Sequence, residues 1–259
     1  MQISRQNVKK KSQELIKLSS PKTLYAGLIM LAISIVINLL SGKIMGGNFT
    51  EADIIQYAKY IENGNYEYAV RLLDGFEPSA LATIINFALQ IVYWVLSAGF
   101  IIFLMNVIRN ADACMGNLLD GFGMFFKIVL LNLLEGLFIS LWAMLLVVPG
   151  IIAAYRYKMA IYILIDNPEK SPLQCIRESK QMMKGHKADF FVFELSFFGW
   201  YLLAAIPFVG YFVQVWTIPY TNMSYALYYE ALKNMPIDAQ YTPVSGPSAS
   251  NNQTPPWEG

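Results

Sequence analysis

Charged side chains are scarce in this chain of 259 residues: they make up 14% of it, whereas 56% of the residues are hydrophobic. Ordinary soluble domains carry about 25% charged residues. The deficit is concentrated in long runs, and residues 78–108 contain no charged side chain in 31 positions. About 20 apolar residues suffice to cross the ~30 Å hydrocarbon core of a bilayer. The composition therefore excludes an ordinary soluble domain and indicates a polytopic membrane protein.

Histidine and cysteine are also nearly absent. His186 is the only histidine, which excludes an H-E-x-x-H zinc site and disfavours a serine–histidine dyad at membrane depth. Cys114 and Cys175 lack the spacing of a metal site and fall in segments predicted to be cytoplasmic, so we expect reduced thiols. The sequence contains no G-x-S-x-G motif, Walker loop or paired-acid protease motif. We therefore expect no catalytic residue, no metal and no cofactor.

Apolar runs predict an all-α, polytopic transmembrane helical bundle of about six spans with short interfacial helices. The predicted spans are residues 23–41, 80–108, 125–148, 150–166, 189–206 and 209–230. The first run follows a basic N-terminus, residues 1–22, as in a signal peptide. It is longer than a usual signal-peptide core and no A-x-A-like site follows it, which predicts an uncleaved anchor helix.

The distribution of Lys and Arg predicts the orientation of these spans. Basic residues concentrate in residues 1–22 and in the loop 167–188, whereas acidic residues outnumber basic ones in the loop 42–77. Cytoplasmic loops are enriched in Lys and Arg, so the two basic segments are expected inside and the loop 42–77 outside. The membrane domain, residues 23–232, then has both termini in the cytoplasm.

Two further segments lie outside the spans. The loop 42–77 is expected to form two short helices at the outer surface, which either shield the bundle or cap a ligand site. The tail, residues 233–259, is rich in Pro, Ser, Asn and Gly, and we expect it to be disordered.

The second half of the chain contains two similar motifs, which are either an internal repeat or a chance resemblance between two apolar hairpins. Trp142 precedes Pro149 by seven residues, and Trp200 precedes Pro207 by the same interval, with a Gly shortly after each proline. Since Pro and Gly interrupt helices, Pro149-Gly150 is predicted to form the turn of a helical hairpin.

Four ionisable residues fall at membrane depth: Glu135, Arg156, Lys158 and Glu194. Hydrocarbon penalises charged groups unless they pair, face water or lose their charge. Three interpretations stay open: a buried polar network that orders the bundle, a proton or ion relay in a substrate cavity, and snorkelling to an interface.

A basic amphipathic helix is predicted within 171–187, opened by Ser171-Pro172 and ended by Gly185. Its cationic residues are expected to meet anionic lipid headgroups, either as ordinary anchoring or as specific recognition of a lipid or partner. These candidate headgroup contacts are Arg177, Lys180, Lys184, His186 and Lys187.

Residues 109–232 resemble the bacterial integral-membrane family known as domain of unknown function 975. The likeness rests on LWAMLLVVPGIIAAYRYKMAIYILIDNP (141–168), SKQMMKGHKADFFVFELSFFGW (179–200) and IPYTNMSYALYYEAL (218–232). The resemblance implies a multi-span protein of Gram-positive-type bacteria. It supplies no catalytic residue, because the family has no assigned activity.

The favoured function is a non-enzymatic accessory, scaffold or envelope-homeostasis component. The alternative is a small-solute or ion-coupled transporter, and a lipid-modifying enzyme comes third. The expected partners are membrane lipids, together with membrane proteins or a second copy of the chain, and not nucleic acid. A water-filled cavity that reaches both glutamates would favour the transporter.

Overall fold

The computed structural model describes residues 4–45, 51–74, 79–206 and 208–235. Throughout these ranges the regular elements are helices, which confirms the all-α class. The helices of the first half are α1 (Arg5–Leu18), α2 (Lys22–Met45), α3 (Glu51–Glu62), α4 (Tyr66–Asp74), α5 (Ala80–Ile108) and α6 (Asn117–Asp120). A 3₁₀ turn, Gly121–Met124, leads into α7 (Phe125–Leu145).

The helices that follow α7 are shorter until the last one. They are α8 (Val147–Tyr157), α9 (Ala160–Asp166), α10 (Pro172–Met182), α11 (Lys187–Leu195), α12 (Phe198–Ala204) and α13 (Val209–Lys233). The outer-loop helices expected from the sequence are α3 and α4. Of the predicted disordered tail, residues 233–259, Lys233 forms the end of α13, and residues 236–259 lie outside the described residues.

Four helical stretches of the described chain are long and apolar enough to cross a membrane. They are Lys22–Ile44, Ala80–Ile108, Asn117–Leu145 and Val147–Asp166. They correspond to the first four predicted spans. The predicted fifth span consists of two short helices, α11 and α12, and α13 is long but more polar, so the count of six stays a prediction.

Burial divides the long helices into two zones. In α5 the apolar residues near the N-terminus, such as Leu81 and Ile84, are exposed, whereas most from Val95 onward are buried. In α13 the order is the same, with Phe212 exposed and Tyr228 buried. The exposed apolar halves present the kind of surface that a bilayer covers, and the packed core lies at the opposite end of these helices.

The turn between α7 and α8 differs from the sequence prediction. The chain turns at Leu146, whose backbone is extended at φ −161° and ψ 145°, and Pro149 and Gly150 already belong to the first turn of α8. Proline is tolerated there because N–H groups of a first turn have no intrahelical partner. Gly150 instead allows close packing, since a Cβ atom would lie 2.8 Å from the Cβ of Ala143.

A similar contact closes the hairpin of α12 and α13. A Cβ atom at Gly210 would lie 2.0 Å from the carbonyl oxygen of Ala204, so only glycine fits there. Phe208, the residue before α13, adopts a positive φ of 64°. Each hairpin of the sequence repeat therefore uses its glycine for close approach of the two arms, while Pro207 lies outside the described residues.

The fourth predicted span is interrupted between α8 and α9. The Ser179 hydroxyl of α10 donates a hydrogen bond to the carbonyl of Arg156 at 2.8 Å and accepts one from the N–H of Met159 at 3.1 Å. Ser179 is fully buried. The Ser179 hydroxyl thus takes the place of backbone partners for the Arg156 carbonyl and the Met159 N–H. These two hydrogen bonds stabilise the kink and fix α10 against it.

The ends of α10 agree partly with the prediction. Ser171 and Gln174 form a capping box at its start, with Pro172 in the first turn. The helix ends at Met182, and Gly185 follows with φ 85°. Of the apolar residues of this segment, Ile176 and Met183 are buried, whereas Leu173 is 48% exposed.

The basic N-terminus is not a simple extension but a helix packed against α13. The hydroxyls of Ser12 and Ser224 form a buried hydrogen bond of 2.7 Å, and Ile16 is fully buried. The Lys9 ammonium donates to the carbonyl of Ser196 at 3.0 Å, between α11 and α12. The first and last described helices therefore share one interface.

Candidate functional site

Glu194 is the centre of a polar network inside the bundle. Its carboxylate accepts hydrogen bonds from the hydroxyls of Tyr155 at 2.7 Å and Tyr225 at 3.1 Å, and lies 3.3 Å from the Lys158 ammonium. The Tyr201 hydroxyl extends the network, 3.1 Å from that of Tyr225. The partners come from both sides of α11, so this carboxylate joins α8, α11 and α13.

Glu135 lies near the same lysine, but its carboxylate differs from that of Glu194 in its hydrogen bonding. Lys158 is close enough to interact electrostatically with the Glu135 carboxylate. The Oε1 atom of Glu135 is buried and has no hydrogen-bond partner among the described residues. The structure thus brings three of the four predicted intramembrane residues together, with Lys158 serving both acids.

Arg156 does not join this network. Among the described residues it forms no salt bridge, and it lies near Lys187 at the start of α11. Helical residues two apart point to nearly opposite faces, so Arg156 and Lys158 cannot serve the same site. The pairing of Arg156 with the intramembrane glutamates, which the sequence left open, has no support in the geometry.

A second network, which the sequence analysis missed, joins the ends of three helices. Asp166 accepts hydrogen bonds from Arg109 at 2.6 Å, Lys233 at 2.6 Å and the Tyr229 hydroxyl at 2.7 Å. Arg109 also donates to Glu230 at 2.7 Å. The side chain of Asp166 is only 3% exposed. We refer to these five residues as the Arg109 cluster.

The Arg109 cluster connects the C-terminal ends of α5, α9 and α13. Burial and opposing carboxylates act in opposite directions on Arg109, and the net effect raises the pKa of its guanidinium. A signal for the cluster existed in the sequence, because each of these charges follows or ends an even-numbered predicted span. Helix ends on one side of a membrane come within reach of one another.

The candidate headgroup residues fall into two groups. Arg177, Lys180 and Lys184 are exposed and Lys187 is half-buried. His186 differs, because its side chain is buried and its Nδ1 atom has no hydrogen-bond partner among the described residues. Burial lowers the pKa of this imidazole, which favours the neutral form. His186 therefore does not present a charge to lipid headgroups.

Three cavities bear on the choice of function. One of about 390 Å³ adjoins the Arg109 cluster and is lined by α1, α5 and α13. Another, of about 620 Å³, lies at the junction of α1 and α2, and a third, of about 450 Å³, lies between α8 and α11. Neither Glu135 nor Glu194 lines any of these three, although Tyr155 of the third also binds Glu194.

Within the described residues, no group of three or more His, Cys, Asp or Glu side chains is arranged to hold a metal ion. No curated protein and no solved structure matches the chain. A family model does match part of the chain. The matched part contains α8 to α13, both hairpin arms that carry Gly150 and Gly210, and the Lys158–Glu194 pair. Residues 143–235 match the family described as protein of unknown function (DUF975), the family that the sequence motifs resemble.

Proposed function

We propose that this membrane protein is a non-enzymatic accessory or scaffold component of the bacterial cytoplasmic membrane. In this proposal its bundle provides a rigid platform for membrane partners or for a second copy of the chain. Envelope homeostasis is the cellular role that such a component would serve.

The observation that carries the proposal is the saturation of Glu194. A carboxylate that accepts two tyrosine hydroxyls and pairs with Lys158 has little capacity left for a substrate. Its partners come from separate helices, so its present contacts serve to fix helix positions. The carboxylate of Asp166 in the Arg109 cluster is likewise occupied by partners from other helices, and its contacts fix the positions of those helices.

The proposed topology has six spans with both termini inside. The C-terminal ends of α5, α9 and α13 meet at the Arg109 cluster, which supports a common side for the ends of the second, fourth and sixth spans. The basic residues of α1 and α10 favour the cytoplasm for that side.

Labelling of single cysteines tests this topology in intact cells. Each single-cysteine variant should also carry Cys114→Ser, because the exposed Cys114 would react with the probe. Cys175 is buried and contributes little background labelling. Probes placed in 51–62 should react from outside, and probes placed at Lys180 or Lys184 only after permeabilisation. Reaction of both sets in intact cells would contradict the six-span arrangement.

One observation favours an ion-coupled transporter as the second candidate. The buried Oε1 atom of Glu135 has no hydrogen-bond partner among the described residues, although Lys158 is near. A buried carboxyl group without partners takes up a proton or a cation more readily than a saturated one.

Substitution of the two glutamates separates these functions. Gln retains the shape and hydrogen-bonding capacity of Glu but cannot titrate. For a scaffold, Glu135→Gln should leave stability and partner recovery in native-lipid particles unchanged. Glu194→Leu should lower the free energy of unfolding by about 2–3 kcal/mol, because the Tyr155 hydroxyl loses its acceptor and Lys158 retains only Glu135 nearby.

Proteoliposomes supply the opposing result. If Glu135 couples transport, the purified protein should dissipate a proton or cation gradient, and Glu135→Gln should abolish this flux while folding normally. Such a flux, together with recovery of the protein without stoichiometric partners or self-association, would refute the scaffold function.

A further inference from the structure

An apolar cavity of about 450 Å³ lies between α8 and α11. Ile151 and Ile152 line it from α8, and Ala188 and Phe191 line it from α11. Lys187 forms part of the same wall, at the first position of α11. The cavity is therefore hydrocarbon-like along its length and cationic at one end.

The apolar end is continuous with the surface that a bilayer covers. Ile151, Ile152 and Phe191 are each between 43% and 49% exposed, and the neighbouring Val192 and Leu195 are exposed as well. An occupant of the cavity would thus come from the membrane without leaving its hydrocarbon region.

The cationic end brings three positive charges together. Lys187 lies near Arg156 and Lys180, and the charges of both act on the Lys187 ammonium. Burial, and then the charges of Arg156 and Lys180, lower the pKa of the Lys187 ammonium. An anion at this position would relieve the mutual repulsion of three cations.

We propose that this cavity binds one anionic phospholipid of the cytoplasmic leaflet. Its phosphate lies among Lys187, Arg156 and Lys180, and one acyl chain runs between α8 and α11 along Ile151 and Phe191. The cavity shares Tyr155 with the Glu194 network, and the choice of the cytoplasmic leaflet rests on the topology proposed above.

Charge complementarity and the lining favour a lipid over a peptide. Ile151, Ile152 and Phe191 lie inside helices, so their backbone groups are bonded within the helices and offer few partners to a peptide backbone. A peptide would leave its own N–H and C=O groups unpaired in an apolar cavity, which costs about 1–3 kcal/mol for each group. An acyl chain has no such groups.

Titration of lipids into the purified full-length protein, followed by native mass spectrometry, tests the headgroup. We expect phosphatidylglycerol to bind about 25-fold more tightly than phosphatidylcholine of the same chain length. This counts about fivefold for each of the two half-buried cations, Lys187 and Arg156, because Lys180 is exposed. Lys187→Gln and Arg156→Gln should each weaken phosphatidylglycerol binding about fivefold.

The matched control is Lys184→Gln, which removes one exposed charge from the same basic segment without touching the cavity. It should leave the binding of phosphatidylglycerol unchanged. Equal affinities for the two lipids, or equal losses in Lys184→Gln and Lys187→Gln, would overturn the proposal in favour of diffuse attraction to the whole basic surface.

A second variant tests the acyl chain. Ala188→Trp fills the cavity from α11 and should reduce retention of phosphatidylglycerol at least tenfold, whereas Ala58→Trp, on an exposed position of α3, should not. Inorganic phosphate at millimolar concentration should not displace the lipid. Displacement by phosphate, or retention unchanged in Ala188→Trp, would show an anion site without a chain groove and overturn the proposal.

Discussion

Asp166 offers the sharpest test of how the helix ends are held together. Its side chain is 3% exposed and accepts hydrogen bonds from Arg109, Lys233 and Tyr229. Removing one member of a buried charged group costs about 3–5 kcal/mol. Arg109 and Lys233 are 37% and 46% exposed and can rehydrate, so the lower end applies. We expect Asp166→Ala to lower the free energy of unfolding by about 3 kcal/mol.

The assay is reversible unfolding in mixed micelles, followed by circular dichroism at fixed detergent composition. Lys233→Met is the matched control, because it removes one exposed partner and should cost about 0.5–1 kcal/mol. Tyr229→Phe should cost about 1 kcal/mol for one hydrogen bond. A loss below about 1 kcal/mol in Asp166→Ala, or an equal loss in Lys233→Met, would refute the view that Asp166 organises the cluster.

Three further predictions use local features of the fold. Gly99→Ala should prevent accumulation of folded protein in membranes, because a Cβ atom at residue 99 would lie 2.0 Å from the carbonyl oxygen of Leu118. Gly136→Ala is the control: a Cβ atom there meets open space, so this substitution should be neutral or stabilise the protein by up to about 1 kcal/mol. Ser179→Ala should lower the free energy of unfolding by about 1–3 kcal/mol, since the Met159 N–H loses its partner, whereas the exposed Ser140→Ala should change it little. Burial lowers the pKa of His186, against a weaker opposing effect of Asp189. Because the unfolded state then binds a proton more readily than the folded state, the free energy of unfolding should fall as the pH drops below about 6.5. His186→Gln should lose this slope, and an unchanged slope would contradict the buried, neutral imidazole.

Local signals predicted the helices that depend on local chemistry. Residues 80–108 were expected to form a span and form α5 with those bounds, because an uninterrupted apolar run follows Ser79, which caps it by accepting from the Ala82 N–H at 3.1 Å. The start of α10 at Pro172 follows from its capping box. Such features depend on residues within one turn of each other and are visible in the sequence.

Other features depend on residues that meet only after folding. The kink after Arg156 requires the hydroxyl of Ser179, which lies 20 residues beyond Met159 along the chain. The packing of α1 on α13 requires Ser12 and Ser224. No window of sequence contains both partners of either contact, so hydropathy alone predicts continuous or independent segments in their place.

The candidate site was predictable in part. The cost of burying charges at membrane depth directed attention to Lys158 and Glu194, which lie 3.3 Å apart in the structure. Helical spacing could have separated Arg156 from Lys158, because residues two apart face opposite ways. The role of these groups stays a prediction, since contacts describe what holds them and not what they do.

The interface between α1 and α13 has a consequence for biosynthesis. Ser12 and Ser224 are 212 residues apart in the sequence. Because ribosomes add about 5–20 residues per second, α13 is synthesised about 10–40 s after α1. During that interval Val8 and Ile16, which are buried in the folded protein, lack the surface of α13. A basic amphipathic helix rests on an anionic membrane surface in such a state. We therefore expect the newly made α1 to lie on the lipid surface until α13 has been synthesised.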